Sequence, residues 1–181
     1  MPRALFASLA MLAFHLGLCF AQDVSSTNQH SQPTPKMISS PTSLEDSAAE
    51  QQLLGLANQR RREAGAPPLR MNAALSNAAR AHARLMVERQ QLSHQFEGEP
   101  LLMPRLLETG LRLDRVGENV AFNASAEQAF EALMLSPPHR HNLLDPSFNS
   151  AGFAAFWSNH RLYVVQDFAH QLPSISKTSS P

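Results

Sequence analysis

The chain has 181 residues, of which 43% are hydrophobic, and its 15 basic and 15 acidic side chains give a formal net charge of zero. This length and composition fit one hydrophobic core with tails and leave little room for a second globular domain. Nucleic-acid binding is disfavoured because it needs a basic stripe, and the one basic run, Arg60-Arg61-Arg62, is explained more simply as a solvated helix end.

The N-terminus has the layout of a secretion signal. A basic Arg3 precedes an apolar stretch over residues 4–20, and the small Ala21 comes just before the polar Gln22. We therefore predict a signal peptide over residues 1–21, cleaved after Ala21, and a mature protein that is secreted or periplasmic.

Cysteine usage and hydropathy indicate how the mature chain is stabilised. Cys19 is the single cysteine, and a lipid anchor on it is disfavoured because the preceding Leu18 is bulkier than lipoprotein processing prefers. After cleavage no disulfide is available, so the domain must rely on packing. No later apolar run reaches the length of a bilayer span, so an integral membrane protein is not expected.

The two ends of the mature chain are rich in small polar residues. Residues 22–45 are dominated by Ser, Thr, Pro and Gln, which predicts a disordered leader because such a segment buries too little apolar surface to offset its ordering entropy. Residues 171–181 have a similar composition and are predicted to form a flexible tail. The folded domain is expected over residues 46–170.

Two helices are predicted in the first half of this domain. Residues 43–46, Ser-Leu-Glu-Asp, have the spacing of a capping box, and helical periodicity continues from there to Gly65. A second helix is expected to begin at Asn72 and to present a narrow apolar stripe that includes His82, which we interpret as a packed core histidine.

The second half of the domain is predicted to contain two more helices and a hairpin. A short helix is expected over residues 103–108, and Ser125 caps another that ends at Pro137-Pro138. Strands are predicted over residues 151–157 and 161–168, joined by Ser158-Asn159-His160, with a third strand over residues 120–123. Helices on an antiparallel sheet indicate an α+β layered domain.

Three polar segments carry the candidate chemistry, and they contain His94, Glu118 and His139. Two imidazoles and a carboxylate that converge would form a metal site or a polar cleft. Gly117 is expected to permit a turn that directs Glu118 out of a strand end, and Asn119 to tie down nearby backbone groups. A buried structural carboxylate explains Glu118 equally well, and no short metal-binding spacing or nucleophile motif is present.

Six stretches in order along residues 52–169 resemble a known family. They are Leu56-Ala57-Asn58 with Arg60 or Arg61, Leu75 with Ala79-Arg80 and His82-Ala83, Ser93-His94, Gly117-Glu118-Asn119-Val120-Ala121, Ser136-Pro137-Pro138-His139-Arg140 with Asn142-Leu143-Leu144, and Val164-Val165-Gln166-Asp167-Phe168. In this order they resemble the CAP superfamily of cysteine-rich secretory proteins, antigen 5 and pathogenesis-related proteins, and specifically its cysteine-free bacterial branch. The resemblance implies a three-layer α-β-α sandwich with a small central antiparallel sheet.

The same resemblance implies a cleft lined by two histidines and two acids. His94 and His139 match the histidines, and Glu118 matches the acid of the Gly-Glu-Asn motif. In animal and plant members the second acid lies three residues after a Trp on the helix before the second histidine, positions that Leu133 and Ser136 take in this chain.

The fourth cleft group is therefore unassigned. Glu127, Glu131 or no residue at all could complete the set, and either glutamate would need that helix to be rotated or shifted.

Three hypotheses about function follow from these residues. The first is a non-catalytic extracellular binding module whose cleft takes a lipid or other small apolar ligand, a peptide or a cell-wall component, with Zn²⁺ or another divalent cation on His94 and His139. The second is a metal-dependent hydrolase in which Glu118 is a third ligand or the general base. The third is a structural envelope protein. Binding is favoured because a hydrolase needs both a ligand set and a separate proton acceptor, and Glu118 is the one acid that matches.

Overall fold

A computed structural model describes residues 44–173. The predicted signal peptide, residues 22–43 of the predicted leader (22–45) and residues 174–181 of the predicted tail (171–181) lie outside the described residues. Residues 44–45 of that leader and residue 171 of that tail belong to strands. The elements in chain order are β1 (Leu44–Glu45), α1 (Ser47–Glu63), β2 (Arg70–Met71), α2 (Ala73–Arg89), α3 (Leu102–Leu107), β3 (Leu113–Asn123), α4 (Ala126–Leu135), α5 (Pro137–Leu144), β4 (Ser150–Ser158) and β5 (Arg161–Gln171).

One five-stranded sheet forms the middle layer. Its strands run in the order β1-β4-β5-β3. The short strands β1 and β2 both pair with β4, β1 with residues 156–157 and β2 with residues 150–151. The pairing of β2 with β4 is parallel, and the remaining pairings are antiparallel. The predicted hairpin is confirmed as β4 and β5, and its turn residues Asn159 and His160 have positive φ angles of 49° and 60°.

Helices cover both faces of the sheet and complete the predicted α-β-α sandwich. Alternate side chains of β4 and β5 point to opposite faces, so each strand serves two cores. On one face, α1, α4 and α5 bury a cluster that contains Phe130, Phe153 and Phe168. On the other face, α2 buries a cluster with Met86, and α3 adds Leu106. No helix among the described residues is both long and apolar enough to cross a bilayer.

Helix caps explain most of the helix boundaries. Asn72 accepts hydrogen bonds from the first turn of α2, and Ser125 accepts one from Gln128 at the start of α4, as the sequence predicts. The first cap differs from the prediction. Asp46 accepts from Ala49 at 2.9 Å and caps α1, whereas Glu45 pairs in the sheet as part of β1.

The Pro137-Pro138 pair begins a helix as well as ending one. The sequence analysis used these prolines only as the end of α4, but they occupy the first positions of α5, where a missing N–H costs nothing. As a result His139 lies in the first turn of a helix that packs against β3.

The α2 helix lies unusually close to the sheet at Gly152. A Cβ on this residue would lie 2.2 Å from the backbone carbonyl carbon of Leu75, so no other residue fits without displacing the helix. The hydroxyl of Ser76 accepts a hydrogen bond from the backbone N–H of Phe153 at 3.2 Å in the same contact. This close approach sets the height of α2 above the sheet.

The prediction that Arg60-Arg61-Arg62 forms a solvated helix end is wrong for its middle residue. Arg61 is fully buried and donates four hydrogen bonds to the carbonyls of Pro67, Leu143, Asp145 and Phe148, at 2.7–2.9 Å. Desolvation in this site lowers the pKa of its guanidinium. Arg61 therefore fixes the C-terminal end of α5 and the loop that follows it.

Candidate functional site

The three predicted cleft residues, His94, Glu118 and His139, lie together at the edge strand β3. Nδ1 of His94 lies 2.9 Å from Oε1 of Glu118. The rings of His94 and His139 are nearly parallel, with centroids 6.3 Å apart and 29° between their planes. The loop after α2 carries one ring and α5 carries the other, so the two faces of the sandwich meet at this edge.

Amide side chains attach α5 to β3 and so position His139. Nδ2 of Asn119 donates to the backbone carbonyl of His139 and to Oε1 of Gln166, each at 3.1 Å. Nδ2 of Asn142 donates to the carbonyl of Glu118 at 3.1 Å and to Oδ1 of Asn119 at 3.0 Å. Asn119 is expected from the sequence to bind nearby backbone groups, and it does so through its hydrogen bond to the carbonyl of His139.

Gly117 has a different role from the one expected. It lies within β3, opposite Phe168, and does not form a turn at a strand end. A Cβ at this position would lie 3.1 Å from the ring of Phe148 and 3.2 Å from Oδ1 of Asn142. The glycine therefore gives Phe148 and Asn142 room against the strand, and the alternation of β3 alone directs Glu118 to the α2 face.

The carboxylate of Glu118 is buried, and both of its oxygens are occupied. Oε1 accepts from His94, Oε2 is hydrogen-bonded to Nη2 of Arg105, and the side chain is only 3% exposed. Burial raises the pKa of Glu118, but the hydrogen bond from His94 and the positive charge of Arg105 outweigh it, so the net pKa is lowered. Glu118 is therefore ionised, and each of its two oxygens already holds one hydrogen bond within the protein.

The two imidazoles have opposite proton affinities. The hydrogen bond to Glu118 raises the pKa of His94, against the opposing effect of burial. Burial, followed by the positive charge of His94, lowers the pKa of His139. His139 therefore loses its proton more readily than His94 as the pH rises.

Neither candidate for the fourth cleft acid reaches the cleft. Glu127 is hydrogen-bonded to Gln52, and Glu131 to Nη2 of Arg60 at 3.2 Å, so both face α1 on the outside of the domain. The acid beside Glu118 is instead Asp167, its direct cross-strand partner on β5. Asp167 is fully buried, and burial together with the charge of Glu118 raises its pKa well above the ordinary value.

A polar cluster lies behind the cleft and links Asp167, Glu118, Arg105, Glu99 and His82. Arg105 donates from Nη1 to Oε1 of Glu99 at 2.9 Å, and its Nη2 lies 3.9 Å from Oδ1 of Asp167. Nδ1 of His82 lies 2.7 Å from Oε1 of Glu99. His82 is buried as predicted, but within this cluster of charged groups and not among apolar side chains alone.

Sequence reasoning missed Arg105, Glu99 and Asp167 as parts of the site. Asp167 could have been found, since it belongs to a motif that carries the family resemblance and lies on a strand predicted to pair. Arg105 and Glu99 lie in a helix turn and a loop with no spacing relation to the histidines, so no local pattern distinguishes them.

A metal ion at this site would have two protein donors, His94 and His139. Within residues 44–173 no group of three or more His, Cys, Asp or Glu side chains could hold a metal ion. Glu118 is not counted as a third donor, since its buried carboxylate is directed to Nδ1 of His94 and to Nη2 of Arg105. Two imidazoles suit zinc, with the remaining positions left to water or to ligand oxygens.

Most of the described domain matches a known protein family. The model of the CAP family, the cysteine-rich secretory protein family, matches residues 54–168. The uncharacterized protein YkwD of Bacillus subtilis (strain 168) is 33% identical over 117 residues, which cover 63% of this chain and 44% of YkwD. The chain thus spans less than half the length of this relative.

Solved structures share the fold. An extracellular protein containing a SCP domain from Bacillus anthracis matches with a TM-score of 0.63 and 24% identity, over 67% of this chain and 40% of that one. An outer surface protein from Borrelia burgdorferi matches with a TM-score of 0.68 and 16% identity, over 73% and 99%. NaASP2, solved with Zn²⁺, matches with a TM-score of 0.51 and 13% identity, over 70% and 81%. At these identities the likeness establishes the fold alone.

Proposed function

Because the chain belongs to the CAP family of cysteine-rich secretory proteins, we propose that it is a non-catalytic extracellular binding module. Its cleft binds a divalent cation such as Zn²⁺ through His94 and His139, and the cation and the cleft walls together take a lipid, peptide or cell-wall ligand. The predicted signal peptide over residues 1–21 and the extracellular or outer-surface neighbours support a secreted or periplasmic location.

One observation carries the choice of binding over hydrolysis. Glu118 would have to be the third metal ligand or the general base of a hydrolase, and His94 and Arg105 already occupy both of its oxygens. The neighbouring hydroxyl of Ser93 donates to the carbonyl of Gln95 at 2.6 Å and is not directed to either imidazole. The structure therefore supports neither Ser93 as an activated nucleophile nor Glu118 as a base that is free of other side chains, and this favours binding over hydrolysis.

The two-histidine donor set also supports a binding role. A cation held by two imidazoles keeps several coordination positions open, and carboxylate or phosphate oxygens of an extracellular ligand can fill them. The separation of 6.3 Å between the ring centroids places the two imidazoles side by side. NaASP2, a structural relative solved with Zn²⁺, supports zinc as the first cation to test.

Calorimetry with Zn²⁺ on the mature chain tests this proposal. We expect one bound ion per chain, and we expect binding to disappear in the double variant His94→Ala and His139→Ala. His141→Ala is the matched control, because His141 is on the same helix as His139 but lines a separate groove of about 500 Å³ with Arg140. Equal binding by the double variant and the wild type would refute the metal site.

A second measurement separates binding from catalysis. Fluorescently labelled casein is incubated with the zinc-loaded wild type and with the double variant. We expect no cleavage above background by either protein. Cleavage by the wild type that is lost in the double variant would replace the binding proposal with the hydrolase hypothesis.

A further inference from the structure

Arg105 lies at the centre of the buried polar cluster behind the cleft. It is in the short helix α3, it is 7% exposed, and its guanidinium contacts carboxylates on two other segments. Nη1 donates to Glu99 at 2.9 Å, and Nη2 is hydrogen-bonded to Oε2 of Glu118. One planar guanidinium can bridge two carboxylates in this way, whereas the single nitrogen of a lysine cannot serve both with the same geometry.

The contact between Arg105 and Glu118 decides which nitrogen of His94 carries the proton. The ion pair with Arg105 favours the ionised form of Glu118, and an ionised carboxylate has no proton to donate, so Oε1 can only accept. The 2.9 Å contact between Nδ1 of His94 and Oε1 therefore requires the proton to be on Nδ1. In the neutral ring, Nε2 then keeps its lone pair, the arrangement found in carboxylate–histidine–zinc sites.

A second route from Arg105 reaches the backbone beside His94. Glu99, held by Arg105, also contacts Nδ1 of His82 at 2.7 Å, and Nε2 of His82 lies 2.9 Å from the carbonyl of Ser93. Ser93 directly precedes His94. Arg105 thus acts on the ring of His94 through Glu118 and on its backbone through Glu99 and His82.

We infer that Arg105 is the positioning residue of the cleft, which fixes the Nδ1–H tautomer of His94 through Glu118 and so presents Nε2 of His94 to the metal. This inference deepens the proposed metal binding and rests on it. Glu118 is accordingly not a ligand but the group that orients a ligand, and Arg105 is what holds Glu118 in that role.

The test is the variant Arg105→Leu, with two readouts on the full mature chain. The first is ¹⁵N NMR of the His94 ring at a pH at which the ring is neutral, which reports the tautomer. The second is calorimetry with Zn²⁺ alone. We expect wild-type His94 to be in the Nδ1–H form, and we expect the variant to show a mixture of tautomers and a loss of zinc affinity of about tenfold.

A control removes another arginine that pairs with a buried carboxylate, Arg80, which is 24% exposed and also pairs with Glu45 at 2.8 Å. Arg80 is hydrogen-bonded to Glu50, which is 2% exposed, on a different side of α2 from the cleft. Arg80→Leu should lower stability in a similar way, because it also leaves a buried carboxylate unpaired. It should leave the His94 tautomer and the zinc affinity unchanged, so a general loss of stability cannot imitate the predicted effect.

Several outcomes would overturn the inference. A folded Arg105→Leu variant with an unchanged His94 tautomer, or with unchanged or tighter zinc binding, would show that Arg105 does not position the ring. If Arg105→Leu does not fold, Arg105→Lys keeps the charge without the two-carboxylate bridge, and wild-type tautomer and affinity in that variant would equally overturn it. If the wild type binds no Zn²⁺, the proposed function fails, and the tautomer comparison still decides the role of Arg105.

Discussion

Asp167 gives the most direct test of how the buried cluster is charged. It is fully buried, neither of its carboxyl oxygens accepts a hydrogen bond from a described residue, and it lies directly across the sheet from Glu118. Burial and the charge of Glu118 raise its pKa well above the ordinary value, so the folded protein favours the protonated carboxylic acid. Asp167→Asn replaces that acid with a neutral group of almost the same shape.

The pH dependence of this substitution follows from linkage. An acid whose pKa is raised by folding contributes stability that is complete below its unfolded pKa and is lost as pH rises through the folded pKa. The wild type therefore carries an increasing penalty at higher pH, whereas Asn does not titrate. Each unit by which folding raises a pKa costs about 1.4 kcal/mol above both pKa values, so we expect Asp167→Asn to be about 1–2 kcal/mol more stable than the wild type at pH 8 and nearly neutral at pH 4.

Urea unfolding at the two pH values measures the difference. For a domain of this size, a gain of 1 kcal/mol corresponds to a rise in Tm of about 4 °C, so thermal unfolding provides a second reading. Asp114→Asn is the control, because Asp114 is 51% exposed and should change stability by less than about 0.5 kcal/mol at either pH. A stability difference for Asp167→Asn that is the same at pH 4 and pH 8 would refute the reasoning.

Three further predictions concern the scaffold. Gly152→Ala should destabilise the domain by about 3 kcal/mol or more, because its Cβ would overlap the backbone of α2. Gly55→Ala is the control in the same melting assay. It should stabilise the domain by about 0.5–1 kcal/mol, because Gly55 lies in α1 with open space around it. Arg61→Leu should lower the free energy of unfolding in urea by about 3 kcal/mol or more, because it leaves four carbonyls unpaired. Arg62→Leu, at the exposed neighbouring residue, should change it little. Equal effects of the two substitutions would contradict the structural role of buried Arg61. Deletion of residues 22–42 should leave cooperative unfolding intact by circular dichroism, and loss of the transition would show that the leader contributes to the fold.

The fold could be predicted largely from local signals in the sequence. Caps at Asn72 and Ser125 and the turn residues Asn159 and His160 specify elements by short-range chemistry, and the structure places them accordingly. The failures occur where a residue serves a distant partner. Arg61 lies in a basic run that is typical of a solvated helix end, but it donates to carbonyls more than eighty residues away. The periodicity of the sequence does not predict such a contact.

The candidate site shows the same division between local and distant information. The histidines and Glu118 are visible in the sequence because they lie in short motifs, and Asn119 is visible because it directly follows Glu118. The orientation of Glu118 required the register of β3, which places it opposite Asp167, and the sequence predicted only the last four residues of that strand. A one-residue change in register would have exchanged the faces of Glu118 and Asn119.

The arrangement of charges behind the cleft indicates that stability is lost there for the benefit of the site. Three acids, Glu99, Glu118 and Asp167, surround the single guanidinium of Arg105, and such a buried set is usually less stable than apolar residues of similar volume. In a purely structural core, replacing such a set by well-packed apolar residues is often neutral or stabilising. A carboxylate held as a fixed acceptor behind His94 accounts for its presence, because apolar residues could not direct the proton of that ring. The contact between Arg105 and Glu118 therefore has two consequences: it lowers the stability of the fold, and it orients the ring of His94.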